Sequence, residues 1–252
     1  MLVSNSNSIG RCPRFRHARV QFYALLGLIL LAACDIASPE SYPSPSLPNR
    51  ETVSQVINDT LTNPAVTTLH LDGPKVTDQD LLLLTNSRHL ASILIDSSDV
   101  SDNGLTPLTT IEHLIHLRIR SRLTDAAIPF ILNMKSLKFL NLPQADFTDQ
   151  GIQSLSAHPN IQLLRIGGKR LSNKSLESLA TMSSLSFLHL IAVPINDQGL
   201  PVLYDMQHLQ SLYLDDTDVT DDGLVKLLEK LPRLHLHINQ THIDRDPNKH
   251  EH

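Results

Sequence analysis

The sequence has no tryptophan, and aromatic residues account for only 4% of its 252 positions. Because 41% of the residues are hydrophobic, we expect a core built from many aliphatic side chains rather than from a few large rings. Enzyme signatures are equally scarce, since the chain contains no G-x-S-x-G, H-E-x-x-H or C-x-x-C motif. We therefore expect a protein without catalytic activity, cofactor or bound metal.

The first 34 residues have the layout of a secretion signal. Four arginines between residues 11 and 19 precede the apolar run ALLGLILLAA, which is too short to span a bilayer and fits the core of a signal peptide. The junction LAAC at 31–34 resembles the lipobox of bacterial lipoproteins. That resemblance implies that Cys34 receives a diacylglyceryl group and that the leader is then removed. The alternative is a simple cleaved signal in which Cys34 carries no lipid.

Cysteine usage and charge agree with this interpretation. Cys12 would leave with the leader and Cys34 would be blocked, so no thiol would remain for a disulfide, a metal or catalysis. Loss of the four leader arginines leaves 17 basic residues against 26 acidic ones, which changes the net charge from −5 to −9. An acidic chain binds nucleic acid and anionic lipid headgroups poorly, so we expect no nucleic-acid partner.

Residues 35–50, DIASPESYPSPSLPNR, combine four prolines with serines and show no apolar periodicity. This composition is typical of a tether, with a reach of roughly 50 Å at about 3.1 Å per residue. Asp35 follows the predicted lipidated Cys34. In enterobacterial lipoproteins, which this junction resembles, an Asp there favours the inner membrane. We therefore expect a bacterial cell-envelope protein on the periplasmic face of the inner membrane, with the outer membrane as the alternative.

A six-letter phrase recurs about every 24 residues through the rest of the chain. Its copies are VTDQDL at 76, VSDNGL at 100, LTDAAI at 123, FTDQGI at 147, LSNKSL at 171, INDQGL at 195 and VTDDGL at 219. Before each copy, two aliphatic residues stand two positions apart and predict a short strand with one buried face. Within the phrase, Thr or Ser and Asp are good helix N-caps, and the glycine of four copies indicates tight packing in the first turn. Each unit is therefore predicted to be one strand, one turn and one helix.

Such units bury their apolar faces only when they stack, which predicts a solenoid. The pattern L-x-x-L-x-L, seen at Leu90, Ile93 and Ile95, resembles leucine-rich repeat proteins, and the TDxGL helix start is similar to their cysteine-containing class. The resemblance implies an α/β fold, a right-handed solenoid with a parallel sheet on the concave side and helices on the convex side. The predicted organisation is a signal peptide at 1–33, a lipidated Cys and tether at 34–50, an N-terminal cap at 51–66, seven repeats and a terminal strand at 67–243, and a disordered tail at 244–252.

The candidate binding site lies on the concave face of the predicted sheet. Phe139, Leu163 and Phe187 occupy one place in three neighbouring strands, so we expect them to form an exposed apolar patch. The residues expected to flank this patch are Arg118, Arg165, His189 and Tyr213. An aromatic centre edged by Arg and Tyr has the composition of a protein-binding hot spot. Two alternatives remain: scattered surface apolar residues, or coverage of the patch by an N-terminal segment.

Two ion-binding interpretations are weaker. The segment 218–229, DVTDDGLVKLLE, matches the spacing of a calcium loop, but the repeat assigns the same residues to the start of a helix. His235 and His237 point the same way from the last predicted strand, and His189 stands two strands back. Neutral imidazoles near Asp215 could hold zinc or copper. No full ligand set is evident, so we expect no metal site.

The sequence thus predicts a lipid-anchored envelope protein that binds an unknown protein or peptide through its concave surface. The main alternative is an envelope-assembly or stress scaffold that uses the convex helices. Ile128, Pro129 and Phe130 make one of those helices unusually apolar.

Overall fold

The structure is a computed structural model that describes residues 50–239 and 241–242. The predicted signal peptide, Cys34 and the predicted tail lie outside these residues. The α-helices are α1 Arg50–Thr62, α2 Asp78–Leu81, α3 Ile128–Asn133, α4 Asp149–Leu155, α5 Asn173–Ala180 and α6 Asp221–Lys230. The strands are β1 Thr68–Leu71, β2 Ser92–Ile95, β3 His116–Ile119, β4 Phe139–Leu142, β5 Leu163–Gly167, β6 Phe187–Ile191, β7 Ser211–Asp215, β8 His235–Ile238 and β9 Thr241–His242.

The nine strands form one sheet in sequence order. Strands β1 to β8 are parallel, and β9 turns back antiparallel to β8. The register advances by one repeat at each step, so that Leu69 pairs with Ile93 and Ile93 with Leu117. The parallel arrangement of β1 to β8 is the one that the repeat spacing predicts, whereas the single terminal strand expected up to residue 243 is divided into β8 and β9.

The core lies between the sheet and the helical segments. The aliphatic residues of each strand point into it, as Leu140 and Leu142 do in β4, and both are fully buried. The helical segments contribute leucines such as Leu155, and α1 covers the first repeat with Val53 and Ile57. Full burial of one such side chain stabilises the fold by about 1.5–3 kcal/mol, so a continuous row of them holds neighbouring units together.

The convex segments are less regular than the predicted helices. Four of them are wholly or partly 3-10 helices, at Leu82–Leu84, Asn103–Thr110, Asp125–Ala127 and Leu200–Leu203. In the second of these, Pro107 stands inside the segment and offers no backbone N–H, whereas Pro201 lies in the first turn of the last segment. A proline in a helix interior removes one hydrogen bond of the α-helical ladder, which favours the shorter 3-10 turn.

The recurring Thr–Asp pair connects each unit to the next. Asp125 accepts hydrogen bonds from the backbone N–H of Thr148 at 2.9 Å and from its hydroxyl at 2.5 Å. The Thr148 hydroxyl in turn accepts from the N–H of Gly151 in the first turn of α4. The same bonds join Asp78 to Ser101, Asp102 to Thr124, Asp149 to Ser172 and Asp197 to Thr220. We call this row of carboxylates and N-caps the Asp ladder.

The glycine of the phrase makes room for the Asp ladder. A Cβ at Gly151 would overlap the carboxylate of Asp125, and Gly104, Gly199 and Gly223 face the Asp or Asn of their preceding units in the same way. In the fifth unit Ser175 replaces the glycine, and its hydroxyl donates to Asp149 instead. Burial opposes the charged form of Asp149, but the hydrogen bonds from Ser172 and Ser175 outweigh it and keep the pKa of this carboxyl below its usual range.

Candidate functional site

The sheet brings the seven predicted binding residues to one face. In one row Phe139 pairs with Leu163 and Leu163 with Phe187, as the repeat predicts. The adjacent row contains, in order of strands, Arg118, Asn141, Arg165, His189 and Tyr213. Both rows point away from the core, and we call them together the outward face.

The outward face is less open than the sequence suggests. Phe139 and Phe187 are each only 7% exposed, so the expectation of an exposed patch is wrong for these two, and Arg118 and Tyr213 beside them are 4% and 9% exposed. The ring of Phe139 meets that of His116 edge-on, with 5.9 Å between their centroids.

Three predicted residues remain partly exposed on this face: Leu163, Arg165 and His189. They lie on the adjacent strands β5 and β6, with Leu163 between the two buried phenylalanines. The accessible surface is therefore a small mixed site, one aliphatic side chain beside one guanidinium and one imidazole.

A charge network borders the outward face at β2 and β3. Asp96 contacts His70 Nε2 at 2.8 Å and accepts from Arg118 Nη2 at 2.5 Å, and Arg120 lies 3.5 Å away. Burial opposes the charge on Asp96, but the hydrogen bond from His70 and the positive charges of both arginines outweigh it and lower the pKa of Asp96. The carboxylate is thus ionised at neutral pH and fixes the Arg118 side chain within the row.

Sequence reasoning missed this network and the polar depression beside it. The depression has a volume of about 560 Å³ and lies past the ends of β1 to β3, where Lys75, Asp99 and Arg122 line it. Lys75 and Asp99 form an ion pair of 2.8 Å across adjacent units. The only sign of this network in the sequence was that a charged residue directly follows some of the strands, as Asp96 follows β2 and Arg120 follows β3.

At the far end of the sheet the histidines do not converge on one point. His189 Nε2 lies 2.9 Å from Asp215, whereas His235 and His237 face each other with 2.6 Å between their Nε2 atoms. The ring of Tyr213 stacks on His237 at 4.3 Å. Across residues 50–239 and 241–242, no group of three or more His, Cys, Asp or Glu side chains is arranged to hold a metal ion.

The structure also describes the segment with calcium-loop spacing and the apolar convex helix. Thr220 caps α6, since its hydroxyl accepts from Gly223 N, so the residues with calcium-loop spacing form a helix start. On the convex side Ile128 is 2% exposed and Phe130 packs against the core, so the predicted apolar helix offers less free surface than expected. None of the helices in the described part of the chain is both long and apolar enough to cross a membrane.

Comparison with known proteins gives a consistent fold. A family model described as a leucine-rich repeat matches residues 205–228. Among solved structures, an internalin from Listeria monocytogenes is 21% identical, with a TM-score of 0.55, over 73% of this chain and 50% of that chain. Internalin C2 from the same organism is 18% identical, with a TM-score of 0.53, over 79% of this chain and 100% of that chain. A search of curated proteins finds no match.

The fold is a leucine-rich-repeat solenoid. Eight parallel strands in sequence order and the internalin likenesses agree on this architecture. The chain covers only half the length of the first internalin, so the solenoid corresponds to part of that protein. In leucine-rich-repeat terms, the outward face is the concave surface, and the Asp ladder runs where each helical segment begins.

Proposed function

We propose that the protein is a non-enzymatic binding module that takes a protein or peptide segment on its outward face. The observation that supports this most directly is the grouping of Leu163, Arg165 and His189 on two adjacent strands, bordered by buried aromatic rings. A rigid sheet holds these side chains in place before binding, which lowers the entropy cost of association. Their mixture of an apolar anchor, a guanidinium and aromatic neighbours suits a compact hot spot.

A charge-reversal variant tests this site. We expect Leu163→Glu with Arg165→Glu to weaken capture of a partner from native membranes by roughly 30-fold, as loss of a hot spot of about 2 kcal/mol does. Gln153→Glu with Lys174→Glu is the matched control, since it changes the net charge equally at exposed positions of the convex side. Thermal unfolding would verify that both variants are folded. Equal loss in both variants, or in neither, would contradict binding on the outward face.

We also propose that the binding module is lipid-anchored through Cys34. The LAAC junction supports this, and the tether would let the solenoid search a volume near the membrane. Each buried CH₂ of an acyl chain contributes about 0.8 kcal/mol, so a diacylglyceryl group together with a further chain gives durable attachment.

Substitution of Cys34 tests the anchor. We expect wild-type protein to incorporate a labelled fatty acid, to begin at Cys34 by intact mass and to sediment with membranes. Cys34→Ser should incorporate no label and should no longer begin at residue 34, because removal of the leader follows lipidation, whereas the control Cys12→Ser should behave as wild type. Fatty-acid incorporation by Cys34→Ser would refute the anchor at this residue.

A further inference from the structure

Exposed large hydrophobic side chains are confined to one end of the described solenoid. Within residues 50–239 and 241–242 they are Val56, Leu82 and Leu83, at 41%, 57% and 39% exposure. Val56 belongs to α1, and the two leucines belong to the convex segment of the first repeat. We call these three residues the cap patch.

The repeat frame does not require leucine at these places. Leu81 and Leu84 are fully buried and fix the 3-10 turn, so Leu82 and Leu83 between them stay on its outer side. The same two places hold Gln153 and Ser154 in the fourth unit and Glu177 and Ser178 in the fifth. Where other units have apolar residues there, as at Phe130, Val202 and Val225, these are only partly exposed. Polar residues there suit a water-exposed surface, whereas two adjacent leucines in the first unit expose apolar surface to water.

The position of the cap patch in the chain indicates what covers it. Helix α1 begins at Arg50, so the predicted tether from Cys34 leads directly into the element that carries Val56. A lipid anchor would keep this end of the solenoid within the reach of the tether from the bilayer. Because a linker raises the effective concentration of two tethered surfaces, even a weak contact between the cap patch and the bilayer would form. The mature chain would be acidic, so an apolar contact rather than attraction to anionic headgroups is the one its surface offers.

We propose that Val56, Leu82 and Leu83 insert into the surface of the bilayer, so that the solenoid stands on its N-terminal cap. This inference rests on the proposed anchor at Cys34. Three side chains cannot supply the roughly 800 Å² per partner that a stable protein interface buries, which disfavours a second copy of the chain as the occupant. Lipid requires no matching surface and accepts isolated leucines. The binding residues Leu163, Arg165 and His189, about four units farther along the solenoid, would then lie away from the headgroups.

Site-directed spin labelling measures this contact directly. The lipidated full chain with Leu82→Cys would be labelled with a nitroxide and placed in phosphatidylcholine nanodiscs at one copy per disc. Oxygen concentrates in lipid and a charged nickel complex stays in water, so the ratio of their collision rates reports depth at each label. We expect a ratio about fivefold higher for Leu82→Cys than for the control Glu229→Cys, because apolar faces insert about 5–10 Å at the interface. Glu229 is exposed on α6, at the opposite end of the solenoid.

The possible outcomes separate this contact from the anchor. Intact mass taken before labelling shows whether Cys34 carries lipid, and a chain without lipid would defeat the anchor and this inference together. A lipidated chain with equal ratios at both labels would defeat the cap contact alone. A ratio that rises only when several copies share a disc would assign the cap patch to a second copy and also overturn the proposal. Leu83→Cys, labelled in the same way, should reproduce the result of Leu82→Cys.

Discussion

Replacement of Asp125 by alanine is expected to destabilise the protein by about 2–4 kcal/mol, since hydrogen bonds to a charged group are worth about 1.5–3 kcal/mol each and do not add fully. The carboxylate accepts from both the N–H and the hydroxyl of Thr148 in the next unit. Without this carboxylate, Thr148, the N-cap of α4, loses the acceptor of both hydrogen bonds. The damage falls at the junction of the third and fourth units, where a solenoid depends on nearest-neighbour contacts.

The Asp that follows the last rung of the Asp ladder supplies the control. Asp221 also begins a helix after a threonine, but no unit of the same kind follows it in the part of the chain that the structure describes. Asp221→Ala therefore loses only the favourable charge at a helix N-terminus, about 0.3–1 kcal/mol. Urea unfolding at pH 7 measures both variants. Equal losses would mean that the carboxylate acts only on its own helix and that the inter-unit bonds contribute little.

Sequence periodicity predicted the register of the eight parallel strands, but not the antiparallel pairing of β9. Apolar residues two apart identify each strand, and a repeat of constant length leaves one way to align neighbouring strands. Phe139, Leu163 and Phe187 could therefore be placed side by side without coordinates, and the structure shows that pairing. Tight packing at the glycines of the phrase is confirmed as well, because a Cβ at Gly151 would overlap Asp125.

Contacts between the units were harder to predict. Sequence reasoning assigned each Asp to the N-terminus of its own helix, whereas its carboxylate reaches the N-cap of the next unit. The pair Asn173 and Asn196 is a signal that was overlooked. In the sixth unit Asn196 takes the place of the Thr or Ser N-cap, and in the fifth unit Asn173 takes the place of the Asp. The Asn173 amide donates to Asn196 Oδ1 at 2.9 Å. A carboxylate cannot donate, so the two substitutions fit each other.

The degree of burial on the outward face could not be predicted from alternation alone. Alternation shows which face a side chain points to, but it does not show how much of that side chain is covered. Leu163 remains partly exposed and Phe139 does not, although both stand in the same row. The binding role proposed for this face therefore depends on Leu163, Arg165 and His189 more than on the aromatic rings.

The second large effect is expected from His116 on the same face. Burial, aided by the positive charge of Arg118, lowers the pKa of His116 to about 4. The unfolded chain has the ordinary value near 6.5, so between these two values the unfolded state binds a proton that the folded state does not. Above pH 6.5 neither state binds this proton, so His116 does not reduce the free energy of unfolding. As the pH falls toward 4, protonation of His116 in the unfolded state lowers the free energy of unfolding. From pH 7 to pH 5 we expect the free energy of unfolding to fall by about 2 kcal/mol through this residue.

His116→Gln removes the titrating group and tests this origin of the pH dependence. Urea unfolding at pH 7 and pH 5 should show a smaller difference for His116→Gln than for wild type, by about 2 kcal/mol. His113→Gln, at an exposed position three residues earlier, should leave the wild-type difference unchanged. Burial also lowers the pKa of His158, despite its hydrogen bond to the Met134 carbonyl, so His116→Gln should keep part of the slope. An unaltered difference in His116→Gln would mean that this imidazole is hydrated in solution. The row of large side chains from His116 to Phe187 would then be open to a partner, rather than closed as the structure has it.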